Sequence, residues 1–270
     1  MTIAENLQRI QTAKADIKTA IENKGVNVGD ITIDGYAAKI DEIKQEGKIS
    51  VHNTGVKLSY TNNIPDVLDF TGISDNDLIH FFEGSNISNW DKLSEIDTSA
   101  IKNLAYTFYK SNLTDLTPIS NWDVSNVTNL EYMFAQINNL TDLTPISNWD
   151  TSNVTNMSNM TQSTYNLTTM PYMNCIKVTA NNYPLFNSGS PVNLGGFYMK
   201  NSWDNAYGLA KCTKLTVESL VNVLNALYDF TGNGETPTSS QGKLALGATN
   251  LAKLTDEQKA IATNKGWTLS

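Results

Sequence analysis

Residues 113–129 read LTDLTPISNWDVSNVTN, and residues 140–156 read LTDLTPISNWDTSNVTN. The two strings agree at sixteen of seventeen positions and lie 27 residues apart. This repeat constrains the fold more than any other feature. A unit so short has an apolar edge that it cannot bury alone, and it closes a core only by stacking on its neighbours. Weaker copies flank the pair. IDTSAIKNLAYTFYKSN aligns with WDVSNVTNLEYMFAQIN at an offset of 26, matching Asp97 to Asp123, Leu104 to Leu130 and Phe108 to Phe134. One unit earlier, LIHFFEGSNI at 78–87 aligns with LAYTFYKSNL at 104–113. Past residue 166 the pattern fades through LTTMPYMNCIKV. About four to five units fit between residues 65 and 193.

Within a unit, Leu116, Ile119 and Trp122 recur at a spacing of three, followed by Val127, Leu130, Met133 and Phe134. This spacing predicts a short extended segment near Ile119–Asp123 and a helical or 3₁₀ turn near Val127–Phe134. Pro118 and Pro145 suit the entry to an edge-accessible strand. Asn and Ser suit the corners, since their side chains satisfy local backbone groups and tolerate left-handed backbone. The expected repeat core is Leu116, Ile119, Trp122, Leu130 and Phe134, with Leu143, Ile146 and Trp149 in the next unit. A period of 26–27 residues falls in the leucine-rich-repeat range. The expected fold class is therefore an α/β repeat solenoid, with an N-terminal helical segment and an α/β C-terminal cap.

The string SNWDVSNVTNLEYMF, echoed by SNWDTSNVTNMSNM, resembles the BspA-type leucine-rich repeat of bacterial surface proteins, whose unit runs W-D-x-S-x-V-T-x-M-x-x-M-F. The likeness is specific over 113–160 and loose over 65–112 and 161–200. It departs at Thr161, where the usual phenylalanine is missing, so the last units are expected to be irregular. The resemblance implies an adhesion or interaction surface and no enzyme.

The ends differ from the repeats. Thr2 and Glu5 form a T-x-x-E capping box for a helix over 2–24, with Ile3, Leu7, Ile10, Ile17 and Ile21 on one seam and Gly25 as its stop. The near-heptad spacing suggests a docking or oligomerising helix, and an ordinary amphipathic helix packed on its own domain fits as well. A second helix is expected at 35–43. The segment ADIKTAIENKGVNVGDITIDGYAAKIDEI at 15–43 is similar to the N-terminal segment of many phage tail and virion-appendage proteins, which implies attachment to a larger assembly. Alternation around His52-Asn53-Thr54-Gly55 reads as a hairpin over 48–60. Near the C-terminus, Thr216 caps a helix carrying Val217, Leu220, Val221, Leu224, Leu227 and Tyr228 at helical spacing. LALG at 244–247 is a strand candidate. Thr255 and Gln258 form a second capping box, with Gly266 as the stop and a last strand at Trp267–Leu269. The tail resembles ends of repeat proteins from Bacteroides and its phages. The expected divisions are a helical docking segment (1–47), a hairpin connector (48–64), the repeats (65–200) and a capping region (201–270).

Composition excludes several functions. The net charge is −8, and only 17% of residues are charged, whereas phosphate recognition needs clustered Lys and Arg; no nucleic-acid partner is expected. No run approaches the ~20 apolar residues of a membrane span, and no basic segment followed by an apolar one opens the chain. Asparagine and threonine together make up roughly a quarter of the sequence, far above average usage. His52 and His80 lie 28 residues apart, and no nucleophile motif accompanies them. Asp115, Asp123, Asp142 and Asp150 recur with the repeat, and such carboxylates serve either calcium or turn backbone. Asn126, Asn139, Asn153 and Asn166 open Asn-x-Ser/Thr sequons as by-products of the repeat. Trp122 and Trp149 read as core rather than sugar platforms. Asp91, Glu95 and Glu131 have no spacing that makes them an acid pair. The glycine pair at 232–234 is a loop. Cys175 and Cys212 read as two small buried thiols or one disulfide.

Together these features point to a non-enzymatic structural or recognition component of a phage virion, such as a tail fibre, head fibre or other appendage. The alternative is a bacterial cell-surface or secreted BspA-like adhesin. Expected partners are other virion proteins, two further copies in a homotrimer, and a bacterial surface receptor or glycan. No cofactor or metal is expected.

Overall fold

The computed structural model describes residues 68–179, 193–203 and 209–270, together with 49–51 and the single positions 19, 58 and 64. Ile3, Leu7, Ile10, Ile17 and Ile21 lie outside the described residues, as does nearly all of the expected hairpin. The chain divides into two compact units, Met1–Val51 with Pro65–Asp69, and His52–Ile64 with Phe70–Ser270.

In the first unit, β1 (Ile49–Ser50) pairs with β2 (Leu68–Asp69), and the pairing is parallel. The partner of β1 comes almost twenty positions later in the chain, and the turn and second arm of the expected hairpin lie outside the described residues apart from Leu58.

In the second unit, equivalent positions of successive repeats sit side by side in parallel. Bridges join Asp75 to Ile101, Asn103 to Asn129, Asn129 to Asn156 and Asp142 to Thr169. Further along, β3 (Thr169–Met170) pairs with β5 (Asn193–Leu194), and β4 (Met173–Asn174) with β6 (Phe197–Tyr198), again in parallel.

The backbone between bridges is neither regular strand nor helix. Leu104, Tyr106, Phe108 and Lys110 donate their N–H groups to Asn129, Glu131, Met133 and Ala135 of the next coil at 2.9–3.2 Å. The residues between them donate backwards by three positions, Thr107 to Leu104, Tyr109 to Tyr106 and Ser111 to Phe108. The same alternation runs through 78–85 and 130–136. Every second amide is thus satisfied locally and every other one by the neighbouring coil, which leaves no buried donor orphaned along the ribbon.

Two local expectations are corrected. Thr117–Ile119 and Thr144–Ile146 are 3₁₀ turns, so Ile119–Asp123 does not run extended. Pro118 and Pro145 stand in the first turn of each, where a fixed φ and a missing N–H cost nothing. Asp115 and Asp142 begin the turns by accepting the N–H groups of Thr117 and Thr144 at 2.8 and 2.7 Å. The run of turns expected over Val127–Phe134 begins only at Glu131, since Asn129 is held in the parallel ladder.

The composition follows from the stacking. Asn112, Asn126, Asn153 and Asn166 each donate a side-chain N–H to a carbonyl one coil back, at 2.6–3.0 Å. Thr128, Thr155 and Thr168 do the same with their hydroxyls. A short amide or hydroxyl beside the backbone reaches one coil spacing and no more. Inside, Phe82, Phe108 and Phe134 form a column with centroids 5.4 and 5.9 Å apart and planes within 5° of parallel. Leu116, Ile119, Trp122, Leu130, Leu143, Ile146 and Trp149 are buried around it. Both tryptophans keep an indole N–H partner, the carbonyls of Leu93 and Ile119. Thr161, buried where the column would continue, ends it.

The C-terminal region carries α1 (Val217–Ala226), α2 (Gly247–Leu251) and α3 (Asp256–Asn264), with β7 (Lys243–Leu244) paired in parallel to β8 (Thr268–Leu269). Thr216 caps α1 and buries Leu220, Val223 and Leu224 beneath it. The Thr255–Gln258 capping box opens α3, and Gly266 at φ +87° closes it. The strand in the LALG segment is shorter than expected, because Gly247 at φ +75° turns the chain into α2. Lys265 Nζ donates to the carbonyls of Leu224, Asn225 and Leu227 at the end of α1, at 3.3, 2.5 and 3.2 Å. The sequence offers no arginine for that task here.

Candidate recognition surface

The turn ribbon puts two residues of each repeat into left-handed backbone, four positions apart. Gly84, Lys110, Gln136 and Ser163 hold the second place, and His80, Tyr106, Tyr132 and Asn159 the first, with φ of 56°, 59°, 54° and 58°. Bulky residues rarely adopt this region, while Asn does so readily. Three of the four coils nevertheless carry an aromatic ring here. His80 stacks on Tyr106 with centroids 4.5 Å apart, and Tyr106 on Tyr132 at 4.7 Å, the planes within 16° of parallel. Tyr109 stands edge-on to both tyrosines at 5.5 and 6.0 Å. All four are half-buried, so an aromatic ladder runs across three coils on the surface.

Charges flank the ladder. His80 Nδ1 and Glu83 Oε2 lie 2.6 Å apart, Lys102 Nζ reaches Asp75 at 2.8 Å, and Lys110 Nζ sits 4.8 Å from the Tyr109 ring centre. Burial pushes the Tyr106 phenol up, and the charge of Glu131 adds to this; it remains a neutral donor at physiological pH. Among the described residues, the hydroxyls of Tyr106, Tyr109 and Tyr132 have no hydrogen-bond partner. Beside the ladder, a shallow cavity of about 260 Å³ crosses three coils, lined by residues that include Asn86, Lys110, Asn112, Gln136 and Asn139. The whole face therefore offers ring edges, hydroxyls and amides to a ligand.

The other sequence candidates fall elsewhere. Asp97, Asp123 and Asp150 each accept the backbone N–H two residues on, from Ser99, Ser125 and Ser152, at 2.9–3.0 Å. Hydrogen bonds from the Ser99 backbone, from Thr117 and from Ser152 hold the carboxyls of Asp97, Asp115 and Asp150 below the usual range. Among the described residues, no group of three or more His, Cys, Asp or Glu is placed to hold a metal ion, and no helix is long and apolar enough to cross a membrane. Cys175 and Cys212 are buried thiols that do not bridge to each other, and burial pushes both up. His52 lies outside the described residues.

Sequence reasoning missed the ladder. Its signal was present in Leu104-Ala-Tyr106-Thr-Phe108 and Leu130-Glu-Tyr132-Met-Phe134, where a tyrosine recurs at the same place between two core positions.

Residues 76–193 match a family described as "Mycoplasma protein of unknown function, DUF285". The matched span holds the ladder, the phenylalanine column and both copies of the long repeat, and it is compatible with a BspA-like repeat. Curated proteins gave no match, and neither did solved structures.

Proposed function

We propose that this chain is a non-enzymatic recognition component built as a leucine-rich-repeat-like solenoid. Its rigid face, centred on His80, Tyr106 and Tyr132, binds a protein or glycan on a bacterial surface. The observation that carries this reading is the choice of side chain at the first left-handed position. Backbone geometry alone favours Gly or Asn there, and Asn159 fills it in one coil. Aromatic rings in three consecutive coils accept conformational strain while remaining half-exposed. The same backbone recurs at Lys110, Gln136 and Ser163, so the ribbon imposes it, and the stacked rings are what sets the first position apart. Tyrosine also suits a binding surface, since it presents large contact area with few rotatable bonds.

The setting we favour is a phage virion, as a tail fibre, head fibre or other appendage. Support comes from the likeness of residues 15–43 to virion-appendage proteins, with Ile3, Leu7, Ile10, Ile17 and Ile21 docking or trimerising the chain. Several copies on one particle would multiply a weak contact into firm attachment. The second reading, a cell-surface BspA-like adhesin, draws on the likeness of the repeats to bacterial surface proteins. Immunogold electron microscopy of phage particles and of cells from the source culture separates the two. Label on particles supports the virion setting, and label on uninfected cells overturns it in favour of the adhesin.

A further inference from the structure

A second cavity, of about 500 Å³, lies where the last described repeat meets α1, well apart in sequence from the ladder. Its wall combines Thr144, Ser147, Tyr172, Asn193 and Glu218. Tyr172 is 49% exposed, one of three large hydrophobic residues so open among those described. Gly195 helps to set its place: a Cβ there would collide with the Tyr172 backbone nitrogen, so only glycine lets the two segments pass this closely. Asn193 follows the same ladder at the β3–β5 pairing, and Glu218 stands in the first turn of α1.

These groups are also available. Among the described residues, the Tyr172 hydroxyl, the Ser147 hydroxyl, the Asn193 amide and the Glu218 carboxylate have no hydrogen-bond partner. A concave site with an apolar platform and a few convergent polar groups is built for a small ligand. The ring offers a flat apolar face to the C–H side of a ligand. Glu218 accepts hydrogen bonds, Asn193 both donates and accepts, and the hydroxyls do both. The set contains no cation, so it disfavours phosphate or carboxylate ligands, and its apolar wall, to which Pro171 and the Tyr172 ring contribute, suits a ligand that pairs a C–H face with hydroxyls.

We propose that this cavity is a binding site for a neutral sugar residue, its ring face against Tyr172 and adjacent hydroxyls donating to Glu218. The inference rests on the recognition reading only in expecting a glycan, and it uses different residues.

The test is calorimetric titration of the full chain with glucose, galactose, mannose, rhamnose and N-acetylglucosamine and their short oligomers, alongside gluconate as the acidic control. At least one neutral sugar should bind and gluconate should not. Tyr172→Ala and Glu218→Gln should each weaken binding about tenfold or more, with circular dichroism unchanged, since both residues are surface-accessible. Glu257→Gln, exposed on α3 and outside both faces, should leave the titration as it is. Absence of binding by every neutral sugar, or full-strength binding by both folded cavity variants, overturns the proposal. Sugar titration lost while ladder-dependent attachment persists removes this site alone; attachment lost with titration intact removes the ladder reading alone.

Discussion

Tyr106 and Tyr132 stack with their ring centres 4.7 Å apart and their planes 12° from parallel, although both hold left-handed backbone. The spacing is that of neighbouring strands, about 4.8 Å. The repeat thus brings the same side chain to the same surface point once per coil, and the ladder is a direct consequence of the period.

The strain at Tyr106 offsets part of its stacking. Replacing it with Asn removes three ring pairs, with His80, Tyr109 and Tyr132, worth about 0.5–1.5 kcal/mol each, while relieving a backbone penalty of about 1 kcal/mol. Tyr106→Asn should therefore lower stability by less than about 3.5 kcal/mol in urea unfolding. A larger loss would mean that the ladder exists to hold the fold.

The phenylalanine column should behave differently. Phe108 is fully buried between Phe82 and Phe134 and beside Trp90 and Trp122. Phe108→Ala leaves a cavity that both flanking coils line, and it should cost about 3–5 kcal/mol in the same measurement. Retention of near-parental stability would show that the coils do not share one core.

Acid should weaken the repeats in a defined direction. Asp97, Asp115 and Asp150 have folded values held below the ordinary one. Their contribution is complete above the ordinary aspartate value of about 4 and is lost as pH falls through the lowered folded values. Melting temperatures should drop more steeply below about pH 4 for the parent than for the triple variant Asp97→Asn, Asp115→Asn, Asp150→Asn. Equal acid slopes would contradict the role given to these turns.

Sequence periodicity reached the residues that are buried, because Leu116, Ile119, Trp122 and their copies at Leu143, Ile146 and Trp149 recur at one spacing. It did not reach the backbone between them. Amides of the 104–111 ribbon point alternately to the next coil and three residues back, while its buried side chains, Leu104, Ala105, Thr107, Phe108 and Ser111, do not follow the two-residue period of a strand. Proline at 118 suits a strand entry by sequence alone, but its fixed φ serves a 3₁₀ turn equally well. Tyr106 and Tyr132 escaped notice because a tyrosine flanked by core residues reads as core, and only the left-handed backbone turns it outward. Tyr172 had no repeat copy to mark it; its exposure depends on Gly195, more than twenty residues away.

Recognition through the ladder is tested most directly by attachment to bacteria. Fluorescently labelled full chain, parent and the double variant Tyr106→Asn, Tyr132→Asn, should be titrated onto cells of candidate hosts, with unfolding curves confirming that both are folded. Parent chain should bind saturably, and the double variant should lose about tenfold or more of that affinity. Saturable binding that the folded double variant retains in full would contradict recognition by this face.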